Sequence, residues 1–282
     1  MNINEKYFTY ADYMYSDTTK ESYVRYIKSF IGCANKPENE ITPFDIMEWL
    51  NLKEESTATK HLKLEAVKSY FKFLKKFKIV DEDPTAEVET PEVKNKPKHY
   101  MDRNMIQSMI NACQNNRDKA IVMTYATTGM RVSELTSVTL NQYKSMRENG
   151  GNKIRITGKG NKDRYVEFNS QVCEAIDRYL RTWNNGRNCD KLFLSMYGNA
   201  IARNNLNTSL KSIAKRAGIP FWNEISNHAL RSACASIYSE EGLPVANIRD
   251  MLGHSSIDVT NRYIKTGGMV TSEAVNHMTF NI

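Results

Sequence analysis

Between Asp83 and Pro97 the chain reads DPTAEVETPEVKNKP, a polar stretch with three prolines that carries neither helical nor strand periodicity. Proline fixes φ and removes a backbone donor, so regular structure is interrupted there. The 282 residues therefore divide into two patterned regions, each of which must bury a core of its own. We place a first domain at residues 1–90, a linker at 91–97 and a second domain at 98–282. Charge is also uneven along the chain. Residues 1–97 carry 15 Lys and Arg against 17 Asp and Glu, whereas residues 98–282 carry 24 against 15, so the net charge of +7 resides in the second region. Clustered Lys and Arg favour a polyanionic partner, because they neutralise phosphates and release counterions; the same balance also occurs in basic proteins that bind nothing anionic specifically.

The first region is expected to be all-helical, with helices over Thr18–Ile31, Pro43–Leu52 behind the N-cap candidate Thr42, and Thr57–Lys78. In the third of these, Leu64, Val67, Phe71 and Leu74 form an apolar stripe, while Lys60, Lys63, Lys68, Lys72 and Lys75 fall mostly off it. Such a helix is either packed on a core with a solvated lysine face or turned toward DNA. A membrane-surface role ranks last, since a small domain needs that apolar face for its own core.

The second region predicts helices over Asp102–Gln114 and Arg117–Thr127, a break at Gly129 and a short helix through RVSEL. KIRIT (Lys153–Thr157) and RYVEF (Arg164–Phe168) alternate as strands do, and GKGNKD between them suits a tight turn. Helices then resume over Gln171–Trp183, Asn204–Ala217, Asn227–Glu241, Pro244–Leu252 and Ile257–Ile264. The fold class expected is mainly α with one small β-sheet.

The opening MNINEKYFTY has no apolar run, and no later stretch approaches the roughly 18 apolar residues that a spanning helix requires. A soluble, cytoplasmic protein without membrane association is the expectation. The five cysteines are scattered and never spaced as C-x-x-C, which suggests buried free thiols rather than disulfides or a zinc site. No Asp or Glu cluster has metal-site spacing, so neither a metal nor another cofactor is expected.

Four segments of the second region carry the polar residues of interest: TGMRVSEL, ITGKGNKDRYV, HALRSACAS and LGHSSIDVTNRYI. Taken singly, each has a bland reading. Arg131 and Glu134 can simply pair across a helical turn, and His228 and Arg231, three apart, share one helical face. His254 can bond carbonyls after the helix-ending Gly253, Lys159 can be a solvated turn residue, and Tyr263 can be half-buried packing.

Taken in order, Arg, Glu, Lys, His-x-x-Arg, His and Tyr resemble the tyrosine recombinase or phage integrase family, with the tyrosine nine positions after the last histidine. The resemblance spans most of residues 98–282, and the helical first region is similar in architecture to the family's core-binding domain, in a compact Xer-like layout. It implies a SAM-like, all-helical core-binding domain and an α+β catalytic domain. It also implies that the chain cleaves and rejoins duplex DNA through a 3′-phosphotyrosine at Tyr263. Arg131 and Arg231 would clamp the phosphate, His254 would donate to it, His228 would act as base or relay, and Lys159 would be the general acid. Glu134 would orient that cluster, and Lys162 and Arg164 join Lys60, Lys63, Lys68, Lys72 and Lys75 as candidate DNA contacts. Four protomers would assemble on specific sites, as a homotetramer or with a paralogue, with or without accessory proteins. Two alternatives stay open at this point. One is type IB topoisomerase-like relaxation and the other a non-catalytic DNA-binding regulator on the same fold. Ser232, where the family often has an aromatic or basic residue after the arginine, is a departure that bears on subfamily.

Overall fold

The computed structural model describes residues 3–92, 99–157 and 163–253, which fall into two compact units, residues 1–97 and 98–282. The first unit is helical: α1 (Ile3–Met14), α2 (Asp17–Ala34), α3 (Pro43–Asn51) and α4 (Thr57–Lys76). Helix α3 starts with a reciprocal capping box between Thr42 and Asp45, and Pro43 sits at the first helical position, where its missing N–H costs nothing. Helix α4 is the central element. Its buried residues Leu64, Ala66, Val67, Tyr70, Phe71, Phe73 and Leu74 cover more than one stripe, because the other helices wrap around it. Phe30 meets Trp49 edge-on at 5.3 Å, and Tyr7 meets Tyr70 at 5.0 Å. Helix α1 was not among the expected elements. Only Tyr7 and Ala11 of its twelve residues are buried, so its apolar periodicity is too sparse to read, and its place is set by Tyr7 packing on α4.

The second unit comprises α5 (Arg103–Asn111), α6 (Asn116–Thr128), α7 (Val132–Ser137), α8 (Leu140–Glu148), the hairpin β1 (Lys153–Thr157) and β2 (Asp163–Glu167), α9 (Ser170–Thr182), α10 (Arg203–Arg216), α11 (Asn227–Glu240) and α12 (Val245–Leu252). The class is mainly α with a two-stranded antiparallel sheet, as the pattern predicted. The helix expected over Ile257–Ile264 lies outside the described residues. Helix α8 escaped the pattern because only Tyr143 and Met146 are buried in it, and its start is set by a capping box of Thr139 and Gln142. Helix α6 is buried from Ala120 to Thr128 and packs against α9 and α11, so the rest of the unit is arranged around it. All five cysteines are free; Cys173 and Cys234 are buried as expected, whereas Cys33 is exposed on α2. None of the described helices is long and apolar enough to cross a membrane.

Gly129 ends α6 in the left-handed conformation, φ +56°, and its N–H bonds the Tyr125 carbonyl at 2.9 Å. A Cβ at this position would lie 2.3 Å from Leu252 Cδ2 and 3.1 Å from Cys234 Sγ. The end of α6 is thus pressed against both α11 and α12. Gly129→Ala is expected to lower unfolding stability by about 2 kcal/mol or more, from backbone strain and overpacking together. Denaturant unfolding of variant and wild type measures it; a change within about 0.5 kcal/mol would mean that the three elements do not meet as described.

Candidate active site

Helix α7 begins at Val132 with Arg131 at its N-cap and Glu134 at its third position. The Glu134 carboxylate turns back and accepts the Arg131 backbone N–H at 2.6 Å and Arg131 Nη1 at 2.9 Å. Two further guanidinium groups reach the same carboxylate. Arg164 of β2 donates from Nη2 at 2.8 Å, with Nε at 3.4 Å, and Arg231 of α11 lies 3.9 Å away through Nη1. Glu134 is 1% exposed, so three elements deliver their cations to one buried anion.

The same three arginines cap helix α12. Arg164 Nη1 donates to the Met251 carbonyl, Arg231 Nη2 to Leu252 at 2.5 Å and Arg131 Nη2 to Gly253 at 2.6 Å. The last carbonyls of a helix lack intrahelical partners and carry the negative end of its dipole, so guanidinium donors suit them electrostatically and geometrically. Arg231 Nη1 also donates to the Gly129 carbonyl at 2.6 Å, which fixes α11 to the end of α6. Gly253 adopts φ +66°, and a Cβ there would come within 2.9 Å of Arg164 Cδ.

Burial pushes the Glu134 carboxyl up, but the hydrogen bond and charge of Arg164, and then the bonds from Arg131, outweigh it and hold the group below the usual glutamate range. Burial, and then the positive charge of Arg131, push Arg231 down to about 10, with Glu134 opposing. Guanidinium groups stay charged in proteins, so three of them against one carboxylate leave the cluster two positive charges in excess. The arginine side chains differ in access: Arg131 is 30% exposed, Arg164 12% and Arg231 6%. Guanidinium carries five N–H donors in a planar fork that matches a tetrahedral oxyanion, so this cluster is suited to gripping a phosphate.

The structure brings together Arg131, Glu134 and Arg231, and adds Arg164, expected to be a DNA contact but turned inward to Glu134. The strand alternation carries the signal for that placement: Arg164, Val166 and Phe168 share the face on which Val166 and Phe168 are buried. His228 is exposed on the first turn of α11, three residues before Arg231. Lys159, Lys162, His254 and Tyr263 lie outside the described residues, although Gly253, immediately before His254, is part of the cluster. The described tyrosines Tyr125, Tyr143, Tyr179 and Tyr238 are core residues of this unit, and burial raises the pKa of each phenol.

On α4, Lys72 and Lys75 are exposed, while the ammonium groups of Lys60 and Lys68 donate to Asn51 and Thr90, both at 2.6 Å. Lys63 departs from the expected DNA-facing set. It is buried, 2.6 Å from Glu55 Oε2 and over the Trp49 ring, because α4 is enclosed on the side where Lys63 emerges. Among the described residues no three His, Cys, Asp or Glu side chains group as metal ligands would.

The chain is similar to known proteins in sequence and in fold. The family model described as Phage integrase family matches residues 99–267. Tyrosine recombinase XerD of Halalkalibacterium halodurans is 29% identical over 269 residues, covering 88% of this chain and 87% of that protein. Among solved structures, a lambda integrase dimer bound to a COC' core site is similar at a TM-score of 0.75 and 16% identity, covering 93% of this chain and 76% of that one. The Tn1549 transposon integrase in complex with circular intermediate DNA is similar at 0.71 and 17%, covering 98% of each chain. At these identities the two structures speak for the fold.

Replacing Glu134 by Gln strands three cations around a neutral amide, and removal of one partner from a buried ion cluster costs about 3–5 kcal/mol. The pH dependence has a defined sign. Because the folded-state pKa of Glu134 is lowered, its contribution is present above the ordinary glutamate range and is lost as pH falls through the lowered value. Thermal unfolding across acidic pH should show the gap between wild type and Glu134→Gln closing as pH falls. A constant gap would contradict an ionised Glu134.

Proposed function

Because this chain belongs to the phage integrase family, we propose that it is a site-specific tyrosine recombinase that cleaves and rejoins duplex DNA through a 3′-phosphotyrosine at Tyr263. The observation that carries this reading is the Arg131, Glu134 and Arg231 cluster bound to the end of α12, directly before His254 in the chain. Residues 1–90 are assigned to core binding of DNA, 91–97 to the linker and 98–282 to catalysis. The exposed Lys72 and Lys75 suit a DNA-facing side of the first unit.

In-line attack by the Tyr263 phenolic oxygen forms a new P–O bond and breaks the bond to the 5′-oxygen, which leaves as a hydroxyl after taking a proton. Negative charge grows on the two non-bridging oxygens, and Arg131 and Arg231 are the preorganised donors for it. His254 adds a donor from the residue after the α12 cap. The phenol, with a reference pKa of about 10, needs help to ionise near neutrality; His228 is the assigned base or relay and Lys159 the assigned acid. Glu134 holds the arginines and does not touch DNA. The phosphotyrosine ester keeps the energy of the cleaved bond, so a 5′-hydroxyl can reverse the step without ATP, and the guanidinium charge performs the part that divalent metals play in nucleases. We further propose assembly of four protomers on paired sites, as a homotetramer or with a paralogue, and a cytoplasmic setting where DNA is accessible.

Nicked duplexes bearing candidate sites from the flanks of the protein's own gene test the reading. Wild type is expected to yield a protease-sensitive band of slowed mobility on a denaturing gel, and Tyr263→Phe none. Arg231→Ala should lower the rate of adduct formation on the order of a hundredfold or more. Relaxation of plasmid by monomers without recombinant junctions would indicate a topoisomerase instead, and absence of adduct with any DNA would indicate a non-catalytic binding protein.

A further inference from the structure

The hairpin offers two arginines, and the pleat sends them opposite ways. Arg155 pairs with Tyr165 in the register; their side chains stand on the outer face, where Arg155 is 66% and Tyr165 67% exposed. Arg164 pairs with Ile156, on the face where Ile154, Ile156 and Val166 are buried. Its side chain, 12% exposed, therefore occupies a position where the alternation would place an apolar residue. A charge is retained at such a place only if the surroundings satisfy it, and here they do so from two directions at once: Glu134 of α7 and the Met251 carbonyl of α12.

We propose that Arg164 is a positioning residue for the strand-cleavage reaction, locking strand β2 to the Glu134 carboxylate and to the end of α12. This rests on the recombinase reading given above. Two sequence neighbours give the lock its consequence. Arg164 lies five positions after Lys159 in the chain, and the α12 end that it holds leads directly into His254. Through one guanidinium, the chain that carries the assigned acid and the chain that carries the assigned phosphate donor are anchored to the same carboxylate as Arg131. Gly253 supports the assignment, because its lack of a side chain lets the Arg164 stem pass where a Cβ would sit 2.9 Å from Cδ. Among the described residues, the charged and titratable groups that face Glu134 are Arg131, Arg164, Arg231 and the buried phenol of Tyr125 on α6. Of these, Arg164 does most to hold Glu134 ionised. A lysine cannot reproduce this bridge, since a single ammonium lacks the fork that spans an anion and a carbonyl.

Arg164→Met, Arg164→Lys and Arg164→Met combined with Glu134→Gln separate this role from a DNA contact. On nicked duplex, Arg164→Met is expected to keep duplex affinity within about twofold and an unchanged salt dependence, while adduct formation slows on the order of ten- to a hundredfold. Arg164→Lys should recover part of that rate. In thermal unfolding, the gap between Arg164→Met and wild type should narrow as pH falls, because burial of Glu134 without its main partner raises the pKa and protonation removes the cost. On the Glu134→Gln background, by contrast, the gap between the double variant and Glu134→Gln alone should not change with pH. Loss of affinity in step with rate, together with a weaker salt dependence, would overturn the proposal in favour of a phosphate contact. A wild-type rate in Arg164→Met, or a gap independent of pH, would overturn it outright. The unfolding arm needs no DNA, so failure of the Arg164–Glu134 lock shows as a gap independent of pH, whereas failure of the recombinase reading shows as absence of adduct with wild type. If Arg164→Met does not fold, Arg164→Lys carries both arms, with a smaller change of the same sign expected.

Discussion

A carboxylate that is 1% exposed must be paired or protonated, and Glu134 is paired with Arg131, Arg164 and Arg231 together. Like-charged guanidinium groups repel one another, and nothing in their own chemistry would gather three of them in a partly buried place. The anion between them offsets that repulsion, and the carbonyl dipoles at the end of α12 add to it. What remains is an excess of positive charge held rigidly before any ligand arrives. Preorganisation of that kind is what transition-state stabilisation of a phosphoryl group requires, since donors that are already aimed need no reorganisation during the reaction.

The rest of the second unit serves to hold this cluster. Helix α6 is buried over its last nine residues, and its left-handed terminus at Gly129 lets α11 and α12 approach closely enough for Arg231 to bond both the Gly129 and the Leu252 carbonyls. At the start of α7 the backbone N–H of Arg131 donates to Glu134 and so orients the carboxylate that the Arg131 side chain also binds. The hairpin contributes through parity alone: with Ile154, Ile156 and Val166 committed to the core, Arg164 has to point inward. Packing, capping and register are thus separate constraints that agree on one site.

Much of this was legible in the sequence, and the gaps have physical causes. Helices with a strong apolar stripe, such as α4 and α9, and the alternating hairpin announced themselves. Helices α1 and α8 did not, because each buries only two residues and depends on tertiary contacts or a capping box for its place. The ordered motif residues identified Arg131, Glu134 and Arg231, but motif order contains no information on which face of a strand Arg164 takes or on the three carbonyls that share the arginines. Lys63 was misplaced for the opposite reason. A helix wheel treats a lysine off the apolar stripe as solvated, whereas α4 is enclosed so widely that Lys63 finds Glu55 and the Trp49 ring instead.

In the proposed reaction these arginines act on the negative charge of the scissile phosphate rather than merely holding the fold. Replacing one non-bridging oxygen by a methyl group makes that phosphate neutral while leaving the bond to be cleaved in place. Rates of adduct formation for wild type and Arg231→Ala on phosphodiester and methylphosphonate nicked duplexes therefore separate the two roles. Charge stabilisation by Arg231 gives the variant a deficit on the order of a hundredfold on the phosphodiester that largely disappears on the methylphosphonate. An equal deficit on both substrates would contradict it and would make Arg231 a structural residue.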